Sequence, residues 1–212
     1  MSSIRSYQKA FSGGEVSPEL LGRIDDAKYQ TGLALCENFI VRPQGSAMNR
    51  QGFAFVRAVK DSSKITRLLP FVFNATQTLV IEMGVGYFRF HTAGATVLQG
   101  TVSAWQTSTA YSVGNLRTNG GHAYYCVTAH TSGTFATDLA AGKWYLMPDS
   151  GVFEMPNGYA EADLFDIHYV QSGDIMTLVH PSYAPMELRR YGATSWVLSS
   201  ITFGSPIAAP SG

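Results

Sequence analysis

RLLPFVFNATQTLVIEMGVGYFRFHTAGATVLQ, residues Arg67 to Gln99, decides how this chain folds. Within it Leu79, Ile81 and Met83 fall on one face and Val80 and Glu82 on the other, the period of two that marks a strand. Three turn signals, NATQ, GVG and AGAT, cut the stretch into strands, which predicts a four-stranded antiparallel meander from Thr66 to Leu98. The same order recurs in FDIHYVQSGDIMTLVHPSYAPMELRRYGATSWVLSSITF, residues Phe165 to Phe203. There QSGD takes the place of NATQ, PSYAP of GVG and YGAT of AGAT, predicting a second meander from Asp166 to Phe203. With the chain between them discounted the period is about 50 residues, the size of a four-stranded propeller blade.

The expected fold is mainly β, with antiparallel propeller-like blades, a short N-terminal helical segment and an inserted small β lobe. It divides the chain into residues 1–100 (helical segment and first blade), 101–147 (aromatic lobe), 148–203 (second blade) and 204–212, a small, Pro-containing tail read as a linker toward a further domain. At the N-terminal end Ser17 suits an N-cap, Pro18 the first helical position and Glu19 the positive helix start, so SPELLGR opens a short helix. A second helix is expected from Asp25 to about Glu37.

Composition narrows the function. The chain has 212 residues, 45% hydrophobic and 14% charged, so it can bury a core and disorder is not expected. Its 15 basic residues balance 15 acidic ones, which leaves no global field for holding DNA, RNA or an anionic membrane. Cys36 and Cys126 lack the paired spacing of zinc or redox sites and read as reduced, buried small hydrophobes. The start, MSSIRSYQKAFSGGEV, has no signal-peptide core, and no apolar run approaches the length of a bilayer span.

Candidate sites follow from residue patterns. The insertion, Thr101 to Met147, carries a hairpin turning at NGG between a strand near Ser112–Arg117 and one at Ala123–Thr128. It is rich in aromatic residues and reads as a peripheral lobe that can be removed without unfolding the blades. Trp105, Tyr111, Tyr124 and Trp144 are either the lobe's own core or a surface for a glycan or protein partner, since flat rings stack on pyranose faces. His122, Cys126 and His130 recur every four residues, but in a strand they stand roughly 13 Å apart, too far to share one metal ion. Glu161, Asp163 and Asp166 could be sought as an acid pair, and read instead as residues around a helical turn before a strand. There is no nucleophile elbow and no phosphate loop, so neither catalytic residues nor a cofactor or metal site is expected. Around NFIVRPQGSAMNRQGFAFV, Asn38 to Val56, a corner forms from Arg42, Pro43, Gly45, Arg50 and Gly52, open to two readings: a loop for an acidic ligand or a structural turn.

FSGGEVSPELLGRIDDAKYQTGLALCENFIVRPQGSAMNRQGFAFV resembles the start of tail proteins of tailed bacteriophages, in particular tail tubular protein B, the nozzle of short-tailed phages. Gly13-Gly14 before the Ser-Pro turn, the region of Tyr29, Asn38 and the RPQG…NRQGFAFV corner carry the likeness. YAEADLFDIHYVQSGDIMTLVHP is similar to a later blade segment of that family, so the resemblance spans roughly Phe11–Gln99 and Tyr159–Phe203. Trp105 to Trp144 departs from it and is similar to small chitin-binding-like aromatic modules. The resemblance implies a structural virion protein without enzymatic activity, assembled in the host cytoplasm as a ring, a hexamer, around the DNA exit channel. Tail adaptor and fibre proteins would be its neighbours, and DNA would pass without specific binding or membrane insertion. It also implies that the corner is structural, with Arg42 and Arg50 paired to acids such as Asp25, Asp26 or Glu37. The alternative is a carbohydrate-binding module aiding adsorption to a bacterial surface glycan.

Overall fold

A computed structural model describes residues 7–74, 78–202 and 204. The central residues of the NATQ turn and nearly all of the tail read as a linker lie outside the described residues. The chain forms two compact units, Met1–Phe55 and Val56–Gly212. Strand accounts for 41% and helix for 6%, so the mainly β expectation holds. Among the described residues no closed barrel or propeller forms.

The first unit holds β1 (Gly14–Glu15), β2 (Gly32–Leu33), β3 (Phe39–Val41) and β4 (Ala47–Asn49). β1 and β2 pair in parallel, and β3 and β4 form an antiparallel hairpin. SPELLGR gives one 3₁₀ turn, Pro18–Leu20, with the Ser17 hydroxyl accepting from Glu19 N at 3.3 Å. The helix expected from Asp25 to Glu37 is absent: that stretch is a run of turns ending in β2. Its sequence lacks a sustained apolar stripe, and Gly32 sits where an added Cβ would lie 2.9 Å from the Lys28 carbonyl oxygen, a packing that a regular helix would not require.

The second unit contains β5 (Arg67–Val72), β6 (Thr78–Gly84), β7 (Tyr87–Thr92), β8 (Ala95–Thr96), β9 (Ala110–Tyr111), β10 (Leu116–Asn119), β11 (His122–Cys126), β12 (His130–Thr131), α1 (Phe135–Ala140), β13 (Trp144–Leu146), β14 (Glu154–Pro156), β15 (His168–Ser172), β16 (Ile175–His180), β17 (Tyr183–Gly192) and β18 (Ser195–Ser200). Both meanders are present, β5-β6-β7-β8 and β15-β16-β17-β18. Their described turns are two-residue loops, Val85-Gly86, Ala93-Gly94, Gly173-Asp174, Pro181-Ser182 and Ala193-Thr194, each closed by a paired residue on either side. Ala93 and Gly94 both have positive φ, 49° and 75°, as a hairpin turn matched to strand twist demands.

The fourth strand of the first sheet comes in two pieces. β8 pairs with one end of β7 (His91↔Thr96), and β14 pairs with the other end (Arg89↔Glu154). Between them Gln99 N donates to Gly151 O and Phe153 N to Val97 O, so the chain leaves and rejoins the sheet at one point. The residues around 148–157, assigned from sequence to the second blade, thus complete the first sheet.

The two sheets pack face to face. Leu69, Phe71, Ile81, Met83, Phe88, Phe90 and Met155 of the first meet Met176, Leu178, Leu188 and Trp196 of the second in one buried cluster. Trp196 stacks on Phe90 with ring centres 4.2 Å apart and meets Phe71 edge-on at 5.0 Å. Arg67 ties the sheets at one edge by donating to the carbonyls of Leu164, Phe165 and Ile167, and the Gln171 side chain pairs with both backbone groups of Val72.

The lobe has the expected hairpin, β10 to β11, closed by Gly120-Gly121, both at positive φ. It also contains α1, which the β-hairpin reading did not foresee. Its second surprise is β11, whose alternation serves two cores. Tyr124 and Cys126 face a small cluster with Tyr111 and Trp144, whereas Ala123 and Tyr125 face the main core, where the Tyr125 hydroxyl donates to Trp196 O at 2.8 Å. The lobe is therefore not detachable without loss, because its removal strips a buried tyrosine and Met147 from the sheets. Replacing residues 101–150 by a short Gly-Ser linker is expected to leave a folded remainder whose thermal midpoint falls by roughly 10 °C or more, consistent with losing two large buried side chains. An unchanged midpoint by circular dichroism would show that Tyr125 packs on the core without stabilising it.

Candidate functional site

The corner is built by backbone geometry. Gly45, at φ 94°, donates its N–H to Arg42 O and accepts from Phe11 N at 2.8 Å, and a Cβ there would lie 2.6 Å from the Ala10 methyl. No other residue type fits this turn without moving the N-terminal strand of chain. Asn38, at φ 62°, receives two hydrogen bonds from Arg50: the backbone N–H on its carbonyl at 2.9 Å and Nε on its Oδ1 at 2.7 Å. Arg42 Nε lies 3.1 Å from Met48 Sδ. The acids expected as partners are not used, since among the described residues no ion pair reaches Arg42 or Arg50, and Asp25 pairs with Arg23 at 2.7 Å. A side-chain amide at the open end of the same hairpin satisfies Arg50 at lower desolvation cost than a distant carboxylate would. Pro43 sits in the turn, while Gly52 lies beyond the hairpin, with open space where a Cβ would stand.

The aromatic residues of the lobe face inward. Tyr111, Tyr124 and Trp144 are buried and Trp105 is half-buried. Their contacts are edge-to-face: Tyr111 on Trp144 at 75°, Tyr124 on Phe135 at 69° and Trp105 on Phe135 at 76°. This is the preferred packing of a ring cluster. No coplanar row of exposed rings forms from these four residues.

His122, Cys126 and His130 are not brought together. His122 Nδ1 lies 2.7 Å from Asp149, the Cys126 thiol donates to Thr128 O, and His130 stands beside Asp138 and Trp144. Among the described residues no group of three or more His, Cys, Asp and Glu gathers to hold a metal. Both cysteines are free; Cys126 is buried, which pushes its thiol up, but Cys36 is only half-buried. Glu161 and Asp163 form the helical turn before β15 and are occupied there: Glu161 accepts from Ile65 N and pairs with Lys64, and Asp163 accepts from the Tyr183 hydroxyl at 2.6 Å.

The densest polar chemistry lies elsewhere, on the outer face of the first sheet. Strand register sets Glu82 opposite Arg89 and Arg89 opposite Glu154, so three charges form one row across β6, β7 and β14. All three are buried. Arg89 Nε donates to Glu154 at 2.8 Å, Lys60 Nζ donates to the same carboxylate at 2.6 Å, and the Tyr145 hydroxyl donates to it as well. Glu82 accepts from the Tyr87 hydroxyl at 2.7 Å and lies 3.0 Å from His91 Nε2. Every oxygen of the two carboxylates has a partner, so the row is a closed network that offers no free acid, base or nucleophile. Sequence reading missed it. The only signal was a charge interrupting each of three apolar strands, in LVIEMG, YFRFH and VFEMP, and their alignment depends on a pairing made across the insertion.

The network fixes a pH dependence. Burial alone would raise the Glu82 carboxyl, but hydrogen bonds from His91 and Tyr87 and the charge of Arg89 outweigh it and hold the group below its ordinary value of 4.5. Tyr87 is pushed up to about 12, first by burial and then by its bond to Glu82. The signs are opposite. A lowered carboxyl contributes stability above its ordinary value and loses it as pH falls through the folded value; a raised phenol contributes below 10.0 and loses it as pH rises toward 12. Denaturant midpoints measured against pH should therefore fall below pH 4.5, and Glu82→Gln should flatten that acid arm and also weaken the alkaline one, leaving there only the part that burial of Tyr87 supplies. Identical acid arms would remove Glu82 from the account.

Among the described residues no helix is long and apolar enough to cross a membrane. The chain matches no protein-family model and no curated protein.

Proposed function

We propose that the chain is a structural subunit of a bacteriophage tail, a nozzle-like platform protein that assembles with copies of itself in a ring around the channel by which DNA leaves. The observation that carries this reading is the missing interior of the first unit. Among its described residues only Gly45 is buried, while Ile24, Leu35, Phe39, Ile40, Phe53 and Phe55 leave about half or more of their surface in water. With Tyr7 and Leu21 these side chains expose on the order of 1,000 Å² of apolar surface, comparable with what one partner contributes to a stable protein interface. A segment with one hairpin, a parallel strand pair and turns but no core gains its stability from something it is assembled with.

Three features support the reading. The sequence resemblance lies over the first unit and both meanders. The two meanders, each four antiparallel strands and packed face to face, have the form of successive blades, which a ring of six copies would extend into a propeller-like platform. Charge balance suits a wall that DNA slides past rather than a surface that grips it. Tail adaptor and fibre proteins are the expected neighbours, and the virion tail is the expected location. The inward-facing rings of Tyr111, Tyr124 and Trp144 weigh against these three as a sugar-stacking surface.

Negative-stain electron microscopy of the purified chain tests the proposal: rings of uniform diameter are expected. A monomer at every concentration in sedimentation velocity, alone and with tail adaptor protein, would overturn it.

A further inference from the structure

Strand alternation on β17 places Met186, Leu188 and Arg190 in one file on the inner face of the second sheet, where Leu188 is fully buried and Met186 packs against the core. Cross-strand register sets Arg190 opposite Trp196, itself part of that core. A third apolar side chain would close the end of the file. Arginine stands there instead, with only 19% of its side chain exposed.

The guanidinium is held in place but incompletely bonded. Its carbon lies 3.8 Å from the centre of the Phe73 ring, and Nη1 donates to Asp174 at 3.1 Å. Nε is buried and has no hydrogen-bond partner among the described residues, an orphaned donor on a charged group. Between the turn ends of the two sheets is a recess of about 410 Å³. The first sheet lines it with Phe73, Leu79 and Val97 and with the strand ends at Thr78, Thr92 and Ala93, and the second contributes Arg190 and Ala193. Leu79 and Val97 are buried and apolar, and Thr92 Oγ1 is engaged with Thr78 O at 3.0 Å. Arg190 is the only charge among the lining residues.

We infer that this recess binds a small organic carboxylate, its apolar body against Leu79, Val97 and Phe73 and its oxygens on Nε and Nη2, the edge of the guanidinium that Asp174 leaves open. That edge presents two parallel donors spaced as the two oxygens of a carboxylate. A phosphate dianion fits less well, since it would call for a second cation and the lining has none. The volume lies in the lower part of the range for small-molecule sites, ~300–1,000 Å³. Contact with Phe73 and the bond to Asp174 fix the guanidinium before a ligand arrives, so little side-chain entropy is lost on binding. The Asp174 side chain is 54% exposed, so water screens it from a second carboxylate. Every group in the site lies in the second unit, and the inference stands apart from the assembly reading.

Saturation-transfer NMR observes the ligand, so it reads binding by the full chain in any state of assembly. The probe is benzoate, with benzamide as its neutral isostere and inorganic phosphate as a bare anion. Benzoate is expected to bind saturably, and benzamide and phosphate roughly tenfold or more weakly, the scale of one hydrogen bond to a charged group. Arg190→Gln should lower benzoate affinity by a similar factor, while Arg190→Lys, which keeps the charge but loses the fork, should fall between. Ala193→Leu narrows the recess and leaves Arg190 in place; it should block binding, and it decides the matter if near-ultraviolet circular dichroism shows that Arg190→Gln has lost its fold. No benzoate binding by the wild-type chain, equal affinity for benzamide, or benzoate binding that survives both Arg190→Gln and Ala193→Leu overturns the inference and leaves the assembly reading standing. A chain that binds benzoate and never assembles overturns the assembly reading alone.

Discussion

Replacing Trp196 by alanine is expected to cost about 3–5 kcal/mol, the range for deleting a fully buried large aromatic side chain. Trp196 has no exposed surface and reaches two strands of the first sheet, stacking on Phe90 and meeting Phe71 edge-on. Its indole N–H is satisfied by Ala193 O at 3.1 Å within its own hairpin, so truncation also unties the turn before β18. For a unit of this size the thermal midpoint should fall by roughly 10 °C or more. Trp196→Phe should recover part of the loss, because a smaller ring can still meet Phe90. A drop of only a few degrees in Trp196→Ala would mean that the two sheets hold together by their edges, through Arg67 and Gln171, and not through the shared core.

The second large effect is expected at Glu154. It is buried and takes hydrogen bonds from Arg89, Lys60 and Tyr145, so Glu154→Ala leaves the buried Arg89 guanidinium without its closest anion. Breaking one side of a buried ion pair in this way costs about 3–5 kcal/mol. The informative comparison is the apolar triple Glu82→Leu/Arg89→Met/Glu154→Leu, which removes the whole row. Because desolvation of the charges goes with them, it should be near wild type in stability or above it. Chemical denaturation of the three proteins decides the matter: if the triple variant is as unstable as the single one, the row contributes net stability. If the triple is stable but its β14 amides exchange faster, the row's contribution is register.

How far the sequence disclosed this molecule depends on the range of the contacts. The meanders were legible because strand alternation and two-residue turns are local, and Leu79, Ile81 and Met83 do face the core as their spacing requires. The corner was legible as a turn, yet the partners of Arg42 and Arg50 were not, since Met48 and Asn38 compete with carboxylates only once the hairpin is closed. The helix expected at Asp25–Glu37 failed where propensity had no apolar stripe behind it. The row Glu82–Arg89–Glu154 was out of reach, because it exists only when two segments on either side of the lobe enter the same sheet. Tyr125 and Tyr124 are neighbours in sequence with identical chemistry, and only the placement of a second core beneath the lobe gives them different tasks.

The split fourth strand bears on the order in which a ribosome can deliver this fold. When β5, β6, β7 and β8 have emerged, Arg89 still lacks Glu154, and about 55 more residues must be synthesised, several seconds at bacterial rates, before β14 arrives. A lobe that condenses on its own small core in that interval brings Val97 and Phe153 together and shortens the loop to be closed. The insertion would then act as a folding clamp in the nascent chain, and stalled chains ending near residue 150 should show protected lobe amides while β7 still exchanges. Equal protection of both at that length would instead mean that the first sheet matures without waiting for its last piece.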